Sequence, residues 1–168
     1  MNKALSSLLT AILLTAALTG TVLAASPPPP AEPLPDLPPD FVFEALDWPI
    51  VVDGVQIDAH PAMRPYDNVC RMVPLRPIAE ALGYEVRWHE ETRALTLDDT
   101  VTLWIGLNMY EIGGSILTTE CSYGGISRPL IINGVAYVPF SFFRDVMGLS
   151  YSTTRGELVN VVSGVVTP

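Results

Sequence analysis

Lysine is almost missing from this chain: Lys3 stands alone among 168 residues, and 9 Lys plus Arg face 18 Asp plus Glu. That acidic balance argues against a nucleic-acid partner, because binding a polyphosphate depends on cations that neutralise it. With no lysine after Lys3, Schiff-base chemistry and internal Lys–Asn crosslinks are excluded from the body. Histidine is nearly as scarce. His89-Glu90-Glu91 lacks the second His of a zinc-protease helix and reads as a solvated turn, and His60 beside Pro61 reads as a loop residue, so neither a metal site nor a cofactor is expected. Also missing are a Gly-x-Ser-x-Gly elbow, a phosphate-cradling glycine loop and a Cys-x-x-Cys pair. No apolar run reaches the ~20 residues of a membrane-spanning helix.

What is present begins with an export signature. Lys3 precedes an apolar stretch from Leu8 to Leu18, and Val22-Leu23-Ala24 or Leu23-Ala24-Ala25 offers small residues for cleavage, so residues 1–25 are expected to be a signal peptide. The mature chain should then be secreted or held at the outer cell envelope without a transmembrane segment. Residues 26–47 follow as a proline-rich linker. Eight of the sixteen prolines fall between Ser26 and Asp40, and such a tract favours extended polyproline II over a packed core. It could also be a docking peptide for an aromatic groove, although it has no flanking basic anchor. Phe41 to Leu46 reads either as the end of this linker or as a first edge strand.

The body, residues 48–165, is rich in β-branched residues and punctuated by turns. Asp53-Gly54, Gly113-Gly114 and Asn133-Gly134 each separate short apolar runs, the signature of tight hairpins whose central residues need positive φ. Tyr84, Val86 and Trp88 alternate with Glu85 and Arg87, as Val101, Leu103 and Ile105 do with Thr100, Thr102 and Trp104. These predict strands with one buried face, the first turning at His89-Glu90-Glu91-Thr92. Two segments break that period. Leu75, Ile78, Ala79 and Leu82 predict a short amphipathic helix closed by Gly83, and Phe140, Phe143 and Met147 predict a second closed by Gly148.

The second helix copies the first. Val73-Pro74-Leu75 and Val138-Pro139-Phe140 lie 65 residues apart, as do Asn68 and Asn133, and Gly83 and Gly148. The expectation is an α+β domain in which a curved antiparallel β-sheet carries two short helices, built from β-hairpin, helix and β-hairpin twice over.

The run from Ile50-Val51-Val52-Asp53-Gly54 through Val73-Pro74-Leu75-Arg76-Pro77-Ile78-Ala79-Glu80-Ala81-Leu82-Gly83 to Ile131-Ile132-Asn133-Gly134-Val135-Ala136-Tyr137-Val138-Pro139-Phe140 resembles the copper amine oxidase N-terminal domain-like family. These stalk domains occur in exported proteins of Gram-positive bacteria, particularly Firmicutes. The resemblance implies a noncatalytic stalk or interaction module. In the parent enzymes the copper and the tyrosine-derived quinone belong to another domain, whose metal site needs three histidines. Here Pro65-Tyr66-Asp67 is not a quinone-precursor context. The second copy departs from the first at Ser141, Arg144 and Thr153, which stand where Arg76, Ala79 and Trp88 do.

Two function classes follow. One is an envelope or secreted interaction module that meets cell-wall glycan or an envelope protein through Trp48, Trp104, Tyr110 or Tyr123, although taken singly each of these aromatics reads rather as core, since strand aromatics usually pack on the buried face. The other is a small extracellular glycan hydrolase using paired carboxylates among Glu90, Glu91, Asp98 and Asp99, which requires a separation of roughly 5 to 10 Å. Cys70 and Cys121 are an even pair in an exported chain. They form either a disulfide, closing about 51 residues for ~4 kcal/mol, or two thiols, one in a strand and one on the inserted-looking stretch Thr118 to Ser127.

Overall fold

The structure is a computed structural model and describes residues 42–65, 70–120, 127–154 and 158–165. The expected signal peptide and nearly all of the expected linker lie outside them, as does Asn68. Each of the three glycine turns has positive φ at both central residues, 47° and 80° at Asp53-Gly54 and 51° and 80° at Asn133-Gly134. That twist matches the right-handed twist of the flanking strands, so each closes a two-residue hairpin. The hairpins are β2 (Ile50–Val52) with β3 (Val55–Ile57), β9 (Tyr110–Ile112) with β10 (Ser115–Leu117), and β11 (Leu130–Ile132) with β12 (Val135–Pro139).

The centre of the molecule is a strand paired with its own copy. β5 (Met72–Pro74) runs antiparallel to β12, with Val73 opposite Val138, Met72 opposite Pro139 and Pro74 opposite Tyr137. Partners offset by 65 residues thus exchange places about the Val73/Val138 pair, the signature of a two-fold relation between two halves of one chain. β1 (Phe43–Leu46) and β4 (Ala62–Pro65) extend this sheet on one side and β11 on the other, in the order β1-β4-β5-β12-β11. Phe43–Leu46 is therefore an edge strand, which resolves the choice between linker and strand and starts the folded body before Trp48.

In each half a helix follows the central strand. α1 (Leu75–Ala81) leads into β6 (Val86–His89), β7 (Ala94–Leu97) and β8 (Val101–Trp104), which with β9 and β10 form a second sheet. α2 (Phe142–Asp145) leads into β13 (Leu149–Thr154) and β14 (Leu158–Val165), and β14 takes the N-terminal hairpin β2–β3 beside it. The β14–β2 pairing is parallel, the one departure from antiparallel order among the described strands. The architecture is α+β, with curved and largely antiparallel sheet, two short helices and hairpin, helix, hairpin in each half.

Both helices bury their apolar sides in one core. Leu75, Ile78 and Ala79 are fully buried there, together with Phe142 and Phe143. The second helix differs from the expected stripe: Phe140 lies before it, Met147 is half-buried, and Phe142 and Val146 take the deep positions. The reason is a backbone tether, since the Phe140 N–H donates to the Arg71 carbonyl and keeps that residue on the sheet, leaving room for four helical residues. Gly83 closes α1 with φ 93°, its N–H donating to Glu80 while that of Tyr84 donates to Ala79, the paired bonds of a Schellman end. A smaller cluster, Met72, Leu130, Ile132 and Tyr137, covers the opposite face of the central sheet.

Two strand expectations are corrected. Trp88, expected inside with Val86, is 37% exposed because β6 is the edge of its sheet. Trp104, expected on the open face of β8, is buried where the Gly106 N–H donates to the Pro129 carbonyl at 2.7 Å and draws the chain across that strand end. The turn after β6 is also one residue later, with His89 closing the strand and Arg93 taking φ 51°.

Candidate functional site

Of the four aromatics expected at a surface, the structure removes two. Trp104 and Tyr110 are core residues, at 5% and 0% exposure. The Tyr110 ring lies 5.2 Å from that of Phe142, and burial raises its phenol well above the ordinary tyrosine range. Tyr123 lies outside the described residues. Trp48 remains. It sits on the connector between β1 and β2, where Leu46 and Ile50 are anchored in the core on either side and hold the intervening residues at the rim. The Arg71 guanidinium stands over its ring at 4.7 Å, a cation–π contact that orients the indole.

Trp48 lines an open groove of about 830 Å³ with Asp47, Gln56, Ile57, Asp58 and Pro61. The β2–β3 register, Ile50 opposite Ile57, brings Gln56 and Asp58 to the wall facing the connector. An apolar ring beside two carboxylates and a carboxamide can stack on the apolar face of a ring-shaped ligand while accepting hydrogen bonds from its hydroxyl groups. The same carboxylates disfavour an anionic ligand.

The acids considered for hydrolysis do not converge. Glu90 and Glu91 occupy the turn before β7 and Asp98 and Asp99 the turn after it, so a four-residue strand separates the pairs by roughly 15 Å. Three of the four are engaged in other bonds. Glu90 Oε2 accepts from Trp88 Nε1 at 2.6 Å, Asp98 Oδ1 from the Glu85 N–H at 2.6 Å, and Asp99 Oδ2 from Arg87 at 3.0 Å. Arg87 also forks onto Glu85, and that hydrogen bond with its positive charge lowers the Glu85 carboxyl.

The residues do not fit copper. The chain has two histidines, and His89 Nε2 is hydrogen-bonded to Thr96 Oγ1 at 3.0 Å. Among the described residues no three His, Cys, Asp or Glu side chains group as a metal site. His60 is exposed in a loop, as expected. Cys70 is half-buried ahead of β5 and is not a free thiol, while Cys121 lies outside the described residues.

Two features escaped the sequence reading. Asn108 fastens the ends of the stretch that reads as an insertion: its Oδ1 accepts from the Thr119 N–H and hydroxyl, both at 3.0 Å, and its Nδ2 donates to the Thr119 carbonyl and to Ser127 Oγ. The second is a groove of about 610 Å³ where the halves meet, with Trp88 on one side and Ile131 on the other. The sequence signal available for it was asymmetry, since Trp88 has only Thr153 as its counterpart.

Comparison with known proteins agrees with this geometry. The model of the copper amine oxidase N-terminal domain matches residues 51–159, well over half of the chain. A Brevibacillus choshinensis protein named as a protease inhibitor is 29% identical over 94 residues, covering 54% of this chain and 27% of that protein. The chain therefore spans about a quarter of that relative's length. Among the described residues no helix is long and apolar enough to cross a membrane.

Proposed function

This chain belongs to the copper amine oxidase N-terminal domain family, a noncatalytic module typical of exported bacterial proteins, and on that premise we propose that it is an exported interaction module that holds a neutral cell-wall glycan in the Trp48 groove. The observation that carries this reading is the half-buried Trp48, packed against the core and lining the groove beside Asp47, Gln56 and Asp58. Indole stacking on a sugar ring, with carboxylates accepting from hydroxyls, suits an uncharged polysaccharide and disfavours anionic wall polymers. The signal peptide over residues 1–25 delivers the chain, and removing it leaves the proline-rich stretch, residues 26–47, at the head of a domain that ends near residue 165. A Cys70–Cys121 bridge belongs to the same reading, supported by export, by the even cysteine count and by a Cys70 that is not free.

The test is co-sedimentation with purified peptidoglycan before and after removal of its anionic polymers. Retention should persist or improve after removal. Trp48→Ala should weaken it about tenfold, equivalent to ~1.4 kcal/mol, while Trp88→Ala leaves it unchanged. A protein that stays in the supernatant, or that binds only while the anionic polymers remain, would sink the proposal.

A further inference from the structure

We propose that the second groove, between the β6–β7 and β11–β12 hairpins, receives this chain's own proline tract, residues 26–40, folded back onto the domain. It rests on a different groove from the glycan reading and stands independently of it. Trp88 is 37% and Ile131 46% exposed, two of the few large apolar side chains left open among the described residues, and they line one groove from opposite halves. Proline tracts bind such aromatic grooves because their extended conformation is already populated and their rings pack flat on an indole.

Charge selects this tract. It carries Glu32, Asp36 and Asp40 and no cation. The groove presents Arg76 and Arg93. Arg76 is engaged by Glu80 and by the Val86 carbonyl, and Glu90 by the Trp88 indole. Among the described residues no carboxylate pairs with the Arg93 guanidinium, which leaves it for an acid of the tract. The missing basic anchor is thus explained by a reversal of sign, with acids on the ligand and arginines in the groove.

Length permits it. The tract ends just before Val42, which enters β1 on one edge of the central sheet, while the groove lies toward the other edge and about five residues further along the strands. Strand spacing and rise make that path roughly 25 Å. Fifteen extended residues reach about 46 Å, so the N-terminal half of the tract can lie in the groove.

Amide and indole NMR spectra of the full chain test this. Glu32→Lys, Asp36→Lys and Asp40→Lys together should shift the Trp88 indole N–H and the Gly134 amide while leaving the buried Trp104 indole in place. Arg93→Asp should move the same signals, and combining it with the three lysines should return them toward wild type. A Trp88 signal indifferent to the tract substitutions overturns the proposal. Shifts that fade on dilution overturn it too, since they would put the tract of a second copy in the groove.

Discussion

The two halves share a strand and differ in the helix that follows it, and the contrast separates what pairing constrains from what packing constrains. β5 and β12 are each other's hydrogen-bond partners about Val73 and Val138, so neither can drift without breaking the other's ladder. The helices answer only to the volume beneath them. α1 runs seven residues on aliphatic contacts, with Arg76 Nη1 donating to Glu80 at 3.2 Å on its exposed side. α2 runs four residues and substitutes two aromatic rings, Phe142 and Phe143, with centroids 5.3 Å apart. Ser141 replaces Arg76 there, so Asp145 pairs with its neighbour Arg144 instead, at 2.6 Å. Equal filling of one core by different side chains is what cores tolerate, provided total volume is kept.

The comparison can be broken most strongly at its aromatic side. Phe142→Ala should cost ~3–5 kcal/mol, against ~1 kcal/mol for Ile78→Val in α1, both read from urea midpoints at unchanged slope. If Phe142→Ala cost no more than Ile78→Val, α2 would not be held by its rings. The proposed Cys70–Cys121 bridge comes next: reduction should lower stability by ~4 kcal/mol. Two thiols alkylated without reductant would remove that bridge. Gly83→Ala and Gly148→Ala should each cost about 1 kcal/mol, for φ alone, because an added Cβ meets nothing within 4 Å at either site. Unequal losses would mean that the two helix ends are not equivalent.

Smaller effects sharpen the contrast. Ser141 Oγ is buried with no hydrogen-bond partner among the described residues, a cost the first half avoids with Arg76. Ser141→Ala should therefore raise the thermal midpoint, by the equivalent of ~1 kcal/mol. The smallest is a pH effect. Glu85 titrates below its ordinary value of 4.5 because of Arg87, so its contribution is present above that value and is lost as pH falls through the lower, folded one. Arg87→Gln should flatten acid unfolding at that end. The second half has Ser150 and Ser152 at the equivalent positions and should contribute no such slope.

Much of this was readable beforehand where local chemistry leaves few alternatives. Asn133-Gly134 demands positive φ at both residues, and Leu75, Ile78, Ala79 and Leu82 fit one helix face. Repetition at 65 residues announced the halves. The candidate sites were harder. Trp104 and Tyr110 have the same composition cues as a surface platform, and only their packing removed them. Asn108 gave no cue, because its partners Thr119 and Ser127 are distant in sequence and two of its four bonds go to backbone atoms. Trp88 misled through its alternation with Val86, since period two indicates a face of a strand and not how far a core extends along it.

Composition and spacing alone determined the acidity, the hairpins, the first helix and the scarcity of histidine, because each depends on residue type or on neighbours a few positions away. Tertiary structure decided which aromatics face water, that the acids around β7 lie at opposite ends, and that β2 joins β14 in parallel. Those outcomes depend on distances between residues far apart in the chain, which arise only when the two halves close over one core.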